Sequence, residues 1–525
     1  MTPTGQTPCD RGTILHGRAG APVTAGGRRW TLAAAILGSG MAFIDGSVVN
    51  VALPALQREL QASAAQLQWI VEAYALFLAS LLLAGGALGD RLGRRRVFMA
   101  GVGLFTAASA GCALARSADV LIAARAVQGI GAALLVPGSL SLIGANFPKA
   151  ERGGAIGTWS ALSGMAAAIG PVAGGWLVEH YRWTWAFLVN LPLGALLLWI
   201  CAARVPESRN APDDAALDLP GASLATMGLA GVVYALVQAP LHGWGATDVR
   251  LALLAGVGGL AAFIAVEARS AAPMVPLALF RNRDFSGANL LTLLLYAALG
   301  GGLYFLPLNL IQVQGYGATA AGAAMLPFVA ILFALSRTAG RIVDRWGPRL
   351  PLVVGPTVAA AGFALFMRPG TDSGYWTDFF PAIVVLGLGM AVTVAPLTTT
   401  VMNAAGEAMA GVASGVNNAV SRAAGLLAVA GFGLLMASGF EHQLAQSLQG
   451  LALPAGVAEA VLQQQGRLAG IVLPTGLDAT AAGALRHAIG EAFVRGFRET
   501  MAACASLALL SGLSAAWMIG RKATR

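Results

Sequence analysis

One short stretch decides the fold of this chain: Gly86-Ala-Leu-Gly-Asp90-Arg91-Leu-Gly93-Arg-Arg95-Arg96. It lies between two long apolar runs, so it joins two candidate membrane spans and carries four arginines beside one aspartate. A compact group of cations is costly to move across a bilayer, and basic loops therefore collect on the cytoplasmic side of membrane proteins. The stretch predicts a cytoplasmic loop between the second and third spans.

A weaker copy of this pattern lies far downstream: Gly340-Arg-Ile-Val-Asp344-Arg345-Trp-Gly347-Pro-Arg349. Glycine, aspartate, arginine, glycine and arginine occupy the same five positions in both copies, at one constant spacing along the chain. Two copies of one loop predict two structural halves of the same design. Internal repeats of this kind are typical of secondary transporters.

The composition indicates an integral membrane protein. Of the 525 residues, 57% are hydrophobic and 11% are charged, whereas soluble domains carry roughly a quarter charged residues. The net charge of +9 does not indicate a nucleic-acid binder, because the arginines lie at the ends of apolar runs, as the positive-inside rule predicts. The lipid bilayer is therefore an expected partner and nucleic acid is not.

No pattern in the sequence indicates a cofactor, a metal site or an enzyme. The four cysteines are scattered without a CxxC pair, and the five histidines form no cluster. The sequence contains no Walker A, kinase or hydrolase motif. We therefore expect no cofactor, no metal and no catalytic residue, and a transporter of this kind would use an ion or substrate gradient.

A membrane span needs about 20 apolar residues, and we identify fourteen candidate segments. They cover residues 31–54, 68–88, 97–115, 119–144, 157–178, 185–203, 221–240, 250–268, 286–309, 318–337, 351–368, 379–401, 411–436 and 499–519. An even number places both termini on one side, and the basic loops place that side in the cytoplasm. The first segment is too long for a cleaved signal peptide and contains Asp45, so we interpret it as a permanent span.

These spans predict an all-α integral membrane fold with two six-helix bundles, pseudo-two-fold symmetry and two inserted helices. The expected parts are a disordered cytoplasmic tail (1–28), an N-terminal bundle (29–203), a cytoplasmic connector (204–220), the inserted helices (221–268), a C-terminal bundle (269–520) and a cytoplasmic tail (521–525).

The last external loop, residues 438–497, is unusually long and contains two segments with helical spacing of apolar residues. Two interpretations remain open. The loop is either a passive connection or an outer lid, which would also offer a docking surface to a periplasmic partner. Unchanged transport after deletion of residues 445–490 would exclude the lid.

Asp45 and Glu72 are acidic residues that lie inside predicted spans rather than at or next to a span end. Asp45 is mid-span in Ile44-Asp45-Gly-Ser-Val-Val-Asn50, where a charge costs at least about 2.5 kcal/mol on insertion scales and needs a reason. It exchanges protons, pairs with a cationic substrate, or forms a buried structural hydrogen bond; we favour a proton or substrate site. Glu72, one turn after Trp69, either takes part in the same chemistry or lies at the outer interface.

Arg125 lies inside the fourth span, in Arg125-Ala-Val-Gln128-Gly129. A guanidinium keeps its charge in proteins, so a buried one needs a carboxylate or several carbonyl groups as partners. Asp45 is the best chemical candidate. The pair would form a proton relay whose balance changes between conformations, or it would serve the structure alone.

Small residues mark the fifth span: Gly170-Pro171-Val-Ala-Gly174-Gly175. They let helix backbones approach closely, and the proline can bend the span. The motif predicts either ordinary tight packing or a hinge that prevents leakage. We assign it to gating together with residues of the two basic loops, in which an aspartate would pair with an arginine across a helix end and glycines would permit a tight turn. The loop residues are Gly86, Asp90, Arg91, Gly93, Arg95, Asp344 and Arg345.

Taken together, these motifs resemble those of the major facilitator superfamily. The stretch that begins at Gly86 is similar to the loop between the second and third spans of that family. Residues 125–137 resemble its fourth-span motif, and residues 170–175 resemble the fifth-span motif of its exporters. Several further residues resemble the pattern of the fourteen-span drug:proton antiporters within this family. They are Asp45, Val48 to Pro54, Trp69, Tyr74 and the stretch from Arg182 to Gly194.

The resemblance implies two six-helix bundles around a central cavity, alternating access, and proton-driven export of amphipathic compounds across the cell membrane. A small-molecule substrate and protons are then the expected partners. The candidates for coupling are Asp45, Glu72 and Arg125, and the candidate cavity residues are Asn50, Trp69, Tyr74 and Gln128. Two alternatives stay open: a narrow-specificity metabolite carrier of the same fold, and a transport-inactive membrane sensor, against which the gating motifs in both halves argue.

Overall fold

The computed structural model of the chain describes residues 25–208, 218–270, 273–335, 347–406, 409–451 and 453–520. Within these ranges the protein is helical and contains no β-strand. Among the described residues, thirteen helices are long and apolar enough to cross a membrane, and a shorter apolar helix of 17 residues is the fourteenth. The prediction of an all-helical membrane fold with fourteen spans is confirmed.

The first half contains helices α1 to α6, followed by the inserted pair α7 and α8. Their bounds are Ala25–Leu60 (α1), Ala64–Leu92 (α2), Arg94–Ala113 (α3), Ala118–Asn146 (α4), Lys149–His180 (α5), Trp185–Arg204 (α6), Leu219–His242 (α7) and Thr247–Glu267 (α8). The second half contains Arg283–Val313 (α9), Ala318–Leu335 (α10), Arg349–Leu365 (α11), Tyr375–Ala405 (α12), Ala410–Gln449 (α13) and Ala479–Met518 (α14).

Polar residues in front of the apolar runs explain where several helices begin. A side-chain oxygen that accepts a hydrogen bond from a free backbone N–H stabilises the first turn of a helix. Ser63 does this for α2 in a capping box with Gln66, Ser117 for α4, and Asp478 for α14. These caps determine the residue at which each of these long, largely apolar helices begins.

The two halves meet along two seams. On one side α5 of the first half packs against α10 of the second, and on the other side α2 packs against α13. The inserted helix α7 lies against both α2 and α13, so it covers the second seam from the side, and α8 packs on α7. Closely spaced glycines permit this last contact, because a Cβ on Gly256 would lie 2.5 Å from the backbone nitrogen of Val232.

Helices α13 and α14 continue well beyond the length needed to cross a bilayer, with 40 residues each. The connection between them is therefore residues 450–478, shorter than the 438–497 loop expected from hydropathy. It contains two short helices, Val457–Leu462 and Gln465–Gly470. We call this connection the cap and its end of the bundle the cap end. The opposite end, where Gly93 joins α2 to α3, is the loop end.

The cap binds both halves of the bundle. Gln57, near the end of α1, donates a hydrogen bond to the carbonyl oxygen of Arg467 in the cap over 2.9 Å. The side-chain oxygen of Gln57 accepts a hydrogen bond of 2.7 Å from Gln312 at the end of α9. The guanidinium of Arg467 donates to the side chain of Gln61 over 3.0 Å. The first half is thus tied to the second at the cap end.

Candidate functional site

A buried ion pair between Asp45 of α1 and Arg125 of α4 lies inside the first half. The exposed fractions of the two side chains are 0% and 1%, and Arg125 Nη1 donates to Asp45 Oδ2. The second carboxylate oxygen, Oδ1, accepts hydrogen bonds from Gln128 over 2.8 Å and from Asn190 over 3.0 Å. Both oxygens of Asp45 therefore have donors, which a desolvated carboxylate requires.

The guanidinium of Arg125 has further hydrogen-bond and aromatic partners. Its Nε donates to the carbonyl oxygen of Ile70 over 3.1 Å, and Nη1 also donates to the side-chain oxygen of Gln128 over 2.7 Å. The rings of Tyr74 and Phe187 have their centroids 4.2 Å and 5.8 Å from its central carbon. Aromatic faces attract such a cation, most strongly where water is excluded.

A hydroxyl of α3 completes this network. Ser109 accepts hydrogen bonds from the side-chain nitrogens of Gln128 and Asn190, over 2.8 Å and 3.3 Å. Five helices of the first half, α1, α2, α3, α4 and α6, thus meet at one charged cluster. Protonation of Asp45 would remove the only carboxylate that, among the described residues, forms an ion pair with Arg125.

A central cavity of about 470 Å³ lies between the halves. Its walls come from α1 and α5 of the first half and from α9, α10 and α12 of the second. The lining is mostly apolar, with Phe328 and Phe333 as its largest side chains and Ser47, Asn50 and Ser160 as its polar ones. An apolar pocket with a few polar groups is the usual form of a small-molecule site.

The candidate cavity residues occupy different places. Asn50 lines the central cavity, and Gln128 belongs to the buried ion-pair cluster instead. Trp69 faces the inserted helix α7, where its ring lies 6.4 Å from that of Tyr234. Tyr74 and Asn50 line a second cavity, of about 220 Å³.

The second cavity contains Glu72. This residue is 1% exposed and is therefore buried within the protein. Both of its carboxylate oxygens are buried, and neither has a hydrogen-bond partner among the described residues. Arg422 of α13 lines the same cavity from the other half. The sequence offered the same signal for Arg422 as for Arg125, since both are arginines inside an apolar span.

The turn at the loop end is confined to Gly93. Gly86 is helical within α2, so the expected tight turn is shorter than the glycine pattern indicated. Gly93 has a φ of +109°, a conformation that favours glycine, and a Cβ there would lie 2.9 Å from the carboxylate of Glu207. Asp90 pairs with Arg94 over 2.7 Å, whereas Arg91 is exposed and forms no ion pair with any described residue.

Glu207, from the connector after α6, holds this turn in place. Its carboxylate accepts hydrogen bonds from the backbone N–H groups of Arg95 and Arg96 over 3.0 Å and 3.2 Å, at the start of α3. An anion at a helix N-terminus is stabilised by the free N–H groups and by the helix dipole. Arg95 in turn donates to the carbonyl oxygen of Val205 over 3.0 Å.

The corresponding loop of the second half is described only in part. Asp344 and Arg345, which we assigned to gating, lie outside the described residues. Gly347, which matches Gly93 in the sequence repeat, is described and has a φ of +75°. Both copies of the loop therefore place a glycine in the left-handed region at the same position of the pattern.

The glycines of α5 permit close contacts with both halves. A Cβ on Gly170 would lie 2.2 Å from the hydroxyl of Ser47, and one on Gly174 would lie 2.5 Å from the side chain of Val48. On Gly175 it would lie 2.4 Å from the carbonyl oxygen of Ala318 in α10. Pro171 is within the helix.

Comparison with known proteins identifies a family. The model of the Major Facilitator Superfamily matches residues 35–429. The tetracenomycin C resistance and export protein of Streptomyces glaucescens is 33% identical over 489 residues, which cover 92% of this chain and 90% of the relative. The multidrug resistance protein Stp of Mycobacterium tuberculosis (strain CDC 1551 / Oshkosh) is 35% identical over 440 residues, which cover 83% and 80%.

Solved structures share the fold. A bacterial homologue of the human lysosomal transporter Spinster, in an inward-facing and occupied conformation, aligns with a TM-score of 0.64 at 17% identity. The alignment covers 94% of this chain and 97% of that chain. At this identity the likeness concerns the fold alone.

Proposed function

The chain belongs to the Major Facilitator Superfamily, and from this premise we propose that it exports amphipathic, drug-like compounds in exchange for protons. It is a multi-pass membrane transporter rather than an enzyme. The names of its relatives concern resistance to antibiotics and their export, which supports drug-like substrates. The largely apolar lining of the 470 Å³ cavity supports the same substrate class.

The observation that carries the proposal is the buried pair of Asp45 and Arg125. A proton on Asp45 neutralises the carboxylate and leaves Arg125 without its counter-ion, so the two protonation states favour different packing of α1 against α4. One charge moving through 100 mV provides about 2.3 kcal/mol, and a tenfold substrate gradient requires about 1.4 kcal/mol. One proton per cycle therefore supports more than tenfold accumulation of a neutral substrate, whereas exchange of one proton for one monovalent cation moves no net charge and is driven by the pH difference.

Alternating access requires that contacts between the halves form and break at each end. At the cap end, Glu179 of α5 accepts hydrogen bonds from the backbone N–H and the hydroxyl of Thr319 in α10, over 3.0 Å and 2.6 Å. We place this end outside the cell and the loop end, with both termini, in the cytoplasm of a cell whose inner membrane holds the protein. The positive-inside rule supports this orientation.

Transport into proteoliposomes with an imposed pH gradient tests the proposal. The parent protein should accumulate a fluorescent dye cation, and Asp45→Asn should abolish the gradient-driven part. Asp372→Asn, a change at an exposed aspartate, is the matched control and should behave as the parent does. Full gradient-driven transport by Asp45→Asn would contradict the role of Asp45. If the parent itself moves no dye cation, a narrow-specificity carrier becomes the better description.

A further inference from the structure

The second cavity lies at the seam between the halves and combines two opposite charges. The 220 Å³ space is lined by Asn50 of α1 and Glu72 of α2 from the first half, and by Tyr304 of α9 and Arg422 of α13 from the second. The seam around it is apolar, with residues such as Leu78, Leu426 and Val429 in its walls. Charged groups in such surroundings need partners.

Neither charged group has found a partner within the described part of the chain. Both oxygens of Glu72 and the Nε of Arg422 are buried without a hydrogen bond, and no ion pair joins either residue to another described side chain. In the Asp45–Arg125 pair, by contrast, both carboxylate oxygens of the buried aspartate have hydrogen-bond donors. The two unpartnered groups therefore point to a ligand that supplies the missing contacts.

The second cavity adjoins the central one. Asn50 lines both, and its side-chain oxygen is also buried without a hydrogen-bond partner among the described residues. Because Asn50 lines both spaces, we consider a molecule whose apolar body occupies the larger space and whose polar end occupies the smaller one. The larger space accepts the body, and the smaller space offers a carboxylate, a guanidinium and an amide to the polar end.

We infer that the cavity of Glu72 and Arg422 binds the polar end of an amphipathic amine that also carries an oxygen acceptor. Glu72 accepts hydrogen bonds from the ammonium group, and Arg422 donates to the neighbouring oxygen. Since the two residues belong to different halves, such a ligand joins the halves through its polar end. This inference rests on the proposed export function and names its substrate class.

Three related probes separate the two contacts. Phenylalanine β-naphthylamide has an amine next to a carbonyl and a large apolar body. Its N-acetyl derivative lacks the positive charge, and the analogue with a methylene in place of the carbonyl lacks the acceptor. Binding of each to the purified protein in lipid nanodiscs is measured by calorimetry. Without a gradient across a membrane, this measurement is independent of proton coupling.

The parent should bind the amine with the carbonyl at least about tenfold more tightly than either analogue, as expected for hydrogen bonds to charged groups. Glu72→Gln should remove the preference over the N-acetyl derivative, and Arg422→Gln the preference over the methylene analogue. Glu459→Gln, at an exposed position of the cap, should keep both preferences. Glu72→Asp, which keeps the charge, should retain part of the first preference and covers the case in which Glu72→Gln does not fold.

Two results would overturn the inference: a parent that binds the three probes equally or not at all, and a folded Glu72→Gln variant that keeps the preference for the charged amine. Asp45→Asn should leave the binding preferences intact while it abolishes gradient-driven transport. A parent protein that shows the binding preferences but no gradient-driven transport contradicts the proposed function alone. A parent protein that shows gradient-driven transport but no binding preferences contradicts this inference alone.

Discussion

The ring of Tyr74 lies over the guanidinium of Arg125, with 4.2 Å between the ring centroid and the central carbon of the guanidinium. Tyr74 also lines the cavity that contains Glu72. One aromatic ring therefore separates the buried ion pair from the space in which we place the polar end of a substrate. The ion pair and the cavity thus share one side chain, Tyr74, although they use different charged groups.

The ring, rather than the hydroxyl, should matter for coupling. Tyr74→Phe keeps the ring and loses a 3.3 Å hydrogen bond to the carbonyl oxygen of Ala42, so we expect transport close to that of the parent. Tyr74→Leu removes the contact with the cation, worth about 2 kcal/mol where water is excluded, and should reduce both stability and gradient-driven transport. Thermal unfolding and proteoliposome transport are the measurements. Equal behaviour of the two variants would contradict a role for the ring.

Asn190 should contribute to stability through Asp45. Asn190→Ala removes one of the two donors to Asp45 Oδ1, and a buried acceptor that loses a donor costs about 1–3 kcal/mol. The free energy of unfolding should fall by that amount, whereas Asn418→Ala, at an exposed position, should change little. A double-mutant cycle with Asp45→Asn measures the coupling between the two side chains. Strict additivity in this cycle would mean that Asn190 acts elsewhere.

Gly93 should tolerate no side chain. In Gly93→Ala a methyl group would lie 2.9 Å from the Glu207 carboxylate at a φ of +109°, and the left-handed conformation alone costs about 1–2 kcal/mol. We expect lower stability and impaired transport. Gly103→Ala, within the helix α3 that begins after Gly93 and with open space around its Cβ, should leave both unchanged. Similar losses in both variants would show that any alanine in this helix is harmful.

Hydropathy predicted the number and order of the spans because each span must match the bilayer, a constraint that acts on every residue of a segment. It did not predict that α13 and α14 run on for 40 residues each, since a helix outside the bilayer has a polar face and no apolar excess. The contact of Glu207 with the backbone of Arg95 and Arg96 joins distant segments. No local pattern in the sequence indicates such a contact.

Some residues of the site can be predicted from the sequence, and others emerge only from the packing of the helices. Asp45 and Arg125 are visible in the sequence because isolated charges in apolar runs are rare and need partners. Which groups satisfy them depends on helix packing, so Ser109 and the placement of Asn190 emerge only from the structure. The motif around Trp69 indicates a cavity residue. In the structure, however, the side chain of Trp69 lies on the face of α2 that contacts the inserted helix α7.

Closure at the cap end depends on glycines of α5 and α10. Helices α5 and α10 meet through glycines, because a Cβ on Gly175 would lie 2.4 Å from the Ala318 carbonyl oxygen and one on Gly322 would lie 2.2 Å from that of Pro171. Backbone atoms cannot give way as flexible side chains do. Gly175→Ala should therefore destabilise this contact and shift the population towards an arrangement in which the cap end is open.

Distances between spin labels at Arg116 and Asp372, exposed positions of the two halves, report on this shift in a variant without native cysteines. A destabilisation of about 1.4 kcal/mol changes the ratio of two states tenfold, so Gly175→Ala should add a longer distance to the distribution. Gly157→Ala, in the same helix and with open space around its Cβ, should match the parent. An unchanged distribution in a folded Gly175→Ala variant would mean that α5 and α10 do not part during the cycle, and the cap end would then have to open along the seam of α2 and α13.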